Sequence, residues 1–267
     1  MRTLLTLLSA PALSRIYGRI TRIRRPKFLV NALVNTFARV YHIRMDDYPG
    51  QPKDYPSLLD FFIRPLDPEK RALKADSKHF LSPADGVLAE LQAIDKDQAT
   101  QVKGWTYKVS QLTGANENWE DGWWLAVVYL SPSNYHRFHY SLDSRLETFR
   151  HLGNRLFPVN KAGIRYIKDL FIRNERVTAT FTTHAHRFHV VAVGATFVGS
   201  IKMNDHPLPF SPGKTVPKHL DIRQNMEMGR FEMGSTLVIL LPKQMAEPVA
   251  KQGSPVRVGE PLFKLRG

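Results

Sequence analysis

The sequence predicts an α+β protein, with basic amphipathic helices in front of a largely antiparallel β body. Three observations carry this. The first 45 residues hold nine basic side chains, no acid, and apolar residues at helical spacing. Beyond residue 81 the pattern changes to short apolar or alternating runs bounded by Gly, Pro and Asn, as strands and turns require. The 267 residues are 43% hydrophobic, enough to bury a sizeable core in one domain with an appendage. There is no cysteine, which excludes disulfides, thiolate nucleophiles and cysteine-bound zinc.

At the front, Leu13, Ile16, Tyr17, Ile20 and Ile23 fall on one helical face, with Arg15, Arg19 and Arg22 opposite. A second helix is expected around residues 28–43. There Asn31, Asn35, Arg39 and His42 form a narrow polar stripe among Phe28, Leu29, Leu33, Val34, Phe37, Val40 and Ile43. Such helices suit an anionic membrane surface, and packing on the protein core fits the second one equally well. The longest uncharged run of this front segment, residues 3–14, is too short to span a bilayer, and the basic cluster after it opposes a signal peptide. Nine of the +14 net charges lie before Asp46, so residues 1–45 are assigned as a membrane-associating segment and 46–267 as the main domain.

Residues 46–68 are rich in proline and tyrosine and contain a short apolar helix at 58–63. Strands are expected at residues 123–130, 177–183, 189–193, 196–201 and 237–241, and a helix or turn within 160–172.

Three groupings could carry chemistry: Tyr135-His136-Arg137-Phe138-His139, the histidines His184, His186 and His189, and Gly234-Ser235-Thr236 just before an apolar strand. A Gly-Ser-Thr is commonly only a turn entering a strand. Yet glycine tolerates strained geometry and leaves its carbonyl open to the next residue's hydroxyl. Attack there makes an ester, and elimination then releases the upstream chain. The residue left behind hydrolyses to a pyruvoyl cap. The serine proton needs a base, usually an imidazole oriented by a carboxylate. His136 and His139 would lie one turn apart on a helix, and Asp85 sits in the tight turn Ser82-Pro83-Ala84-Asp85-Gly86.

Taken in order, these segments resemble the phosphatidylserine decarboxylase family. The resemblance runs through residues 59–66 (Leu-Asp-Phe-Phe-Ile-Arg-Pro-Leu), 82–86, 134–139, Phe157-Pro158-Val159-Asn160 and Asn174-Glu175-Arg176. It continues through 193–195, 198–201 and Glu227-Met228-Gly229-Arg230-Phe231, and ends at Gly234-Ser235-Thr236. It implies self-cleavage between Gly234 and Ser235 into residues 1–234 and 235–267. Ser235 is then the nucleophile, His139 the base, Asp85 its orienter, and His136 the proton donor in decarboxylation.

The implied cofactor is a covalent pyruvoyl group derived from Ser235, with no metal. The implied substrate is phosphatidylserine, and the product phosphatidylethanolamine. The resemblance also implies a two-chain heterodimer that assembles into a homo-oligomer, held peripherally on the cytoplasmic face of the cell membrane by its N-terminal helices. Two departures stand out. Ser141 and Ser144 flank Asp143 where the family usually has Pro and Gly, and Gln224-Asn225-Met226 replaces Lys-Gly-Asp or Lys-Gly-Glu. Both touch loop geometry rather than reacting groups.

Three other readings compete. A metal-dependent hydrolase would use His184, His186 and His189, although no acid follows at a familiar spacing. A catalytically silent lipid-binding relative is opposed by the intact Gly234, Ser235, His139 and Asp85. Nucleic-acid binding rests on basic charge alone, without a recognition motif, so no nucleic-acid partner is expected.

Overall fold

The computed structural model describes residues 18–266 apart from 95, 102–104, 160–162, 164, 165, 184, 185, 196–200, 206–212, 233 and 234. At Gln101, Asp121 and Ser235 it gives the backbone alone. The helices are α1 (Lys27–Val40), α2 (Leu58–Phe62), α3 (Val109–Thr113) and α4 (Leu170–Arg173). The strands are β1 (His79–Leu81), β2 (Gly86–Ile94), β3 (Gln98–Gln101), β4 (Trp105–Lys108), β5 (Trp123–Leu130), β6 (Arg137–His139), β7 (Ser144–Leu152), β8 (Arg176–Thr182), β9 (Arg187–Gly194), β10 (Ile201–Met203), β11 (Thr215–Ile222), β12 (Glu227–Phe231), β13 (Ser235–Pro242), β14 (Ala246–Pro248), β15 (Pro255–Val256) and β16 (Pro261–Leu265). This is the expected α+β architecture with an antiparallel body.

An eight-stranded sheet, ordered β11-β7-β8-β9-β13-β5-β2-β15, forms the centre. Strand β13 lies in its middle, paired antiparallel with β5 on one side and β9 on the other. Both its faces are buried, which is why residues 237–241 read as one apolar run. Leu237, Ile239 and Leu241 join the core shared with Phe80, Phe138, Phe231 and Phe263, from the strands of the two three-stranded sheets. Val238 and Leu240 join the opposite core with Trp123, Leu125, Val191, Leu112 of α3 and Phe171 of α4. Each such aliphatic side chain stabilises the fold by about 1.5–3 kcal/mol relative to exposure. The residue opening β13 is therefore held by strongly buried neighbours.

Two glycines from the quoted motifs meet close backbone approaches. A Cβ on Gly229 would stand 2.3 Å from the Lys202 carbonyl oxygen, and one on Gly86 would stand 2.4 Å from that of Tyr129. No side chain fits at either position without moving the neighbouring strand.

The helix expected at residues 58–63 is α2. Its N-cap is Ser57, whose hydroxyl oxygen accepts from the Asp60 N–H at 3.1 Å. Of the helix or turn expected at 160–172, the described part is chiefly α4, and most of the strand expected at 196–201 lies outside the described residues. The idea that His136 and His139 lie on one helical turn is corrected: β6 is a strand paired with β12, and His136 precedes it. Phe138 must bury its ring against Phe231, at 4.8 Å between centroids, and a strand presents it inward.

Residues 13–17 of the first predicted helix lie outside the described residues, and its described part is helical at 18–21. Helix α1 packs on the body along one side and leaves large apolar side chains exposed on the other. Val30 and Val34 pack on Leu58 and Phe61, whereas Phe28 is 75% and Val40 62% exposed, with Leu29 and Tyr41 also outward. No described helix is long and apolar enough to cross a membrane.

Candidate active site

Backbone pairing fixes where Ser235 sits. It faces Leu130 at the end of β5 and Gly194 at the end of β9. Gly194 is itself clamped. The Asn174 amide donates to its carbonyl at 2.8 Å, and its N–H donates to the Glu175 carbonyl at 2.8 Å. The same Asn174 side chain accepts from the Phe157 N–H at 2.9 Å and donates to the Phe157 carbonyl at 2.8 Å. Two separated motifs thus meet behind the residue that opens β13. The Arg176 guanidinium ties in further carbonyls, those of Leu112, Gln111 and Asn174. Gly234 lies outside the described residues.

His136 follows six residues after Leu130, and its carbonyl accepts from the Phe231 N–H at 2.9 Å, four residues before Ser235. These connections tie the His136 backbone to β5 and to the chain that leads into β13. Its Nδ1 sits 2.8 Å from the Asn134 carbonyl, so Nδ1 carries the proton and Nε2 the lone pair. The Phe62 ring covers one imidazole face at 3.9 Å between centroids. The fully buried Arg64 donates to the Ser133 carbonyl at 2.9 Å, holding the loop that leads to His136. These contacts give the 58–63 helix and the arginine after it a physical purpose. His136 Nε2 is buried without a hydrogen-bond partner among the described residues. Burial pushes its pKa down to about 3, opposed by the Asn134 hydrogen bond and assisted by the Arg64 charge.

His139 is fixed in the same tautomer by different partners. Its Nδ1 donates to the Asn225 carbonyl at 2.7 Å, and its Nε2 accepts from the Tyr135 hydroxyl at 2.9 Å. Burial again lowers its pKa. The Asp85 carboxylate is close enough to act on His139 electrostatically, and the His139 N–H donates to the Pro83 carbonyl at 2.8 Å. No hydrogen bond joins the two side chains, however. Asp85 instead accepts two 2.8 Å bonds from Arg71 and one of 2.8 Å from the Val258 N–H. The carboxylate is committed to this fork, and the backbone carbonyl of Asn225 sets the imidazole in its place.

Tyr135, Asn225, Phe62, Arg64 and Arg71 were not assigned roles from sequence. Asn225 could have been suspected, since it stands where the family usually has glycine. Its φ is +68°, a left-handed conformation that asparagine tolerates better than most residues. The two departures from the family pattern also touch one another. Gln224 donates its amide to the Ser141 carbonyl at 3.0 Å, and the Gln224 N–H donates to Asp143 at 2.7 Å. Gln224 thus bridges the two altered loops, and the Asn225 carbonyl still meets His139, while the Ser141 hydroxyl and the Asn225 side-chain oxygen are buried without a hydrogen-bond partner among the described residues.

The comparisons with known proteins decide the family. The phosphatidylserine decarboxylase family model matches residues 58–264. This chain belongs to the phosphatidylserine decarboxylase family. It is 34% identical to the phosphatidylserine decarboxylase proenzyme of Nitrosococcus oceani, over 97% of this chain and 89% of that one. It is 36% identical to that of Anaeromyxobacter sp., over 97% and 95%, and 32% identical to that of Psychrobacter arcticus, over 94% and 93%. Membership makes the protein a carboxy-lyase. The match begins at the first residue of α2, so the helix that covers His136 is part of the matched region.

The competing histidine group does not gain from the geometry. His189 is buried between Trp119 and Trp123, with Nδ1 3.1 Å from the Thr180 hydroxyl and Nε2 3.3 Å from Glu117, and His184 lies outside the described residues.

Proposed function

We propose that this protein decarboxylates phosphatidylserine with a pyruvoyl group that it makes from Ser235 by cutting its own chain after Gly234. The observation that carries the reading is the Gly234-Ser235-Thr236 sequence leading into the central strand, together with two buried, tautomer-fixed histidines, in a chain of this family.

In the first reaction the Ser235 hydroxyl attacks the Gly234 carbonyl carbon. Its proton passes to the base and on to the departing amide nitrogen, which becomes the free amine of residue 235 while an ester forms. His139 suits the base, because its Nε2 lone pair is held ready by the Nδ1 contact with Asn225. The Tyr135 hydroxyl stands on that lone pair, so the proton either displaces it or passes through it. Loss of the residue 235 α-proton then expels Gly234 as a carboxylate. One water enters and one ammonia leaves as the new chain end becomes a pyruvoyl group. Asp85 contributes a fixed negative charge that favours the protonated form of His139 as the proton is in transit.

When formed, a pyruvoyl group supplies an electron sink for the pair released with carbon dioxide. What supports a role for His136 toward such a group is its buried, unpartnered Nε2, on a residue whose backbone carbonyl holds the chain leading into β13. His136 begins neutral and exchanges a proton there. Phe62 on its face keeps the ring from turning away and excludes water from that side. Incubation with labelled phosphatidylserine and borohydride should attach label covalently to residues 235–267 and end turnover. Label appearing only on residues 1–234, or activity lost to chelators with no label fixed, would refute the reading.

We also assign residues 1–45 to membrane attachment. Phe28, Leu29 and Val40 of α1 and Tyr41 just after it are exposed, as are the basic Arg19, Arg24, Arg25 and Lys27. Each basic side chain near an anionic surface contributes about 1 kcal/mol. Raising salt from 0.1 M to 1 M shortens the screening length from about 10 Å to about 3 Å, so release should be partial, because the apolar share persists. Deleting residues 1–25 should remove most binding to anionic liposomes. Equal sedimentation of the truncated and full chains would move the anchor to α1 alone.

A further inference from the structure

We infer that Arg22 and Glu232 form a staple that positions the chain just upstream of the scissile bond, tying maturation to the basic front end. This rests on cleavage at Gly234–Ser235. The two residues are 210 positions apart, yet the Arg22 guanidinium donates directly to the Glu232 carboxylate. Arg22 is aimed there by a second bond, to the Gly18 carbonyl at 3.0 Å. The turn that carries it is seated on the body, since Thr21 is buried and its hydroxyl also donates to Gly18, at 3.2 Å. Ile20 points outward. This turn lays Thr21 and Arg22 against the body, while Arg19 and Ile20 face outward.

Glu232 is a poor choice for its position unless paired. It is 8% exposed, and it directly follows Phe231, whose N–H is held by the His136 carbonyl. Its Cα can be no more than about 7 Å from that of Gly234, two residues on. Negative charge builds on the Gly234 carbonyl oxygen as the serine hydroxyl attacks, and elimination leaves a full carboxylate there. The negative charge of Glu232 so close opposes both steps, because like charges in a partly buried setting are weakly screened, and Arg22 is among the partners that balance it. Arg22 offsets that charge and fixes the segment between the His136 contact and the scissile bond. Arg22 and Glu232 are positioning residues, since neither supplies an atom to the reaction.

The test uses the full chain made by cell-free translation, with self-cleavage followed on denaturing gels over time. Arg22→Glu places two acids together and should slow cleavage roughly tenfold. The double variant Arg22→Glu/Glu232→Arg restores the pair in reverse and should return the rate to within about twofold of wild type. A general loss of stability would not be repaired by the swap. Wild type that is cut while Arg22→Glu is cut equally fast, or a double variant as slow as Arg22→Glu, overturns the staple alone. Wild type that is never cut between Gly234 and Ser235 overturns the cleavage reading beneath it.

Discussion

Replacing Ser235 by alanine should leave a single chain of 267 residues and 30.6 kDa, with no decarboxylase activity at all. Alanine has no hydroxyl to attack Gly234 and no oxygen to become the ketone, so both the cut and the prosthetic group are lost together. The fold should survive, because β13 is held by backbone pairing to β5 and β9 and by Leu237, Val238, Ile239, Leu240 and Leu241, none of which changes. An unchanged melting temperature beside an uncut band separates chemistry from misfolding. His139→Ala should slow the cut without altering which bond breaks, since it removes the base rather than the nucleophile. A Ser235→Ala chain that still matures, or still decarboxylates, would show that another residue carries the group.

His136→Ala should divide the two reactions. The cut is expected to proceed, because the proposed base is His139, whose partners Asn225 and Tyr135 do not involve His136. Decarboxylation should fall about a hundredfold or more, the usual cost of losing a positioned proton-transfer group. A pH signature accompanies this. With its pKa held down to about 3 by burial, folded His136 stays neutral when the unfolded chain, near 6.5, takes up a proton. Stability is therefore retained above pH 6.5 and declines as pH falls below it, by about 2 kcal/mol at pH 5 from this residue. His139 and His189, also lowered by burial, add to the decline. His136→Ala should reduce the acid sensitivity of the melting temperature even while the cavity it leaves lowers that temperature at neutral pH. Melting curves at pH 7.5 and 5 check this. An acid sensitivity equal to wild type would mean that His136 is not buried and neutral.

What the residues announced, and what they concealed, follows from the range of the interactions. The central strand was readable because five consecutive apolar residues, 237–241, need burial on both faces, and local pattern reports that directly. The histidines and Ser235 were readable because their motifs stand in order along the chain. Their relative placement was not. Periodicity over four residues cannot tell a strand from a turn of helix, and only the pairing of β6 with β12 and the burial of Phe138 settle it. The contact that His139 Nδ1 makes was hidden for another reason. It is with the Asn225 carbonyl, and every residue has a carbonyl, so side-chain identity could not single it out. Arg71, which engages Asp85, and Arg22, which engages Glu232, are ordinary arginines in a chain with 38 basic residues. Nothing short of the fold distinguishes them. Gln224 meeting Ser141 and Asp143 belongs to the same class, since two odd substitutions become one compensated contact only when the loops are brought together.

Intact mass spectrometry of the purified wild-type protein, beside a denaturing gel, bears on all of this at once. Two species are expected, residues 1–234 ending in a free glycine carboxylate and residues 235–267. The second should be lighter than a chain beginning with serine by the mass of one ammonia, the signature of the conversion. An active preparation consisting of one uncut chain, or of two chains whose second piece keeps an ordinary serine at its start, would contradict the proposed origin of the prosthetic group.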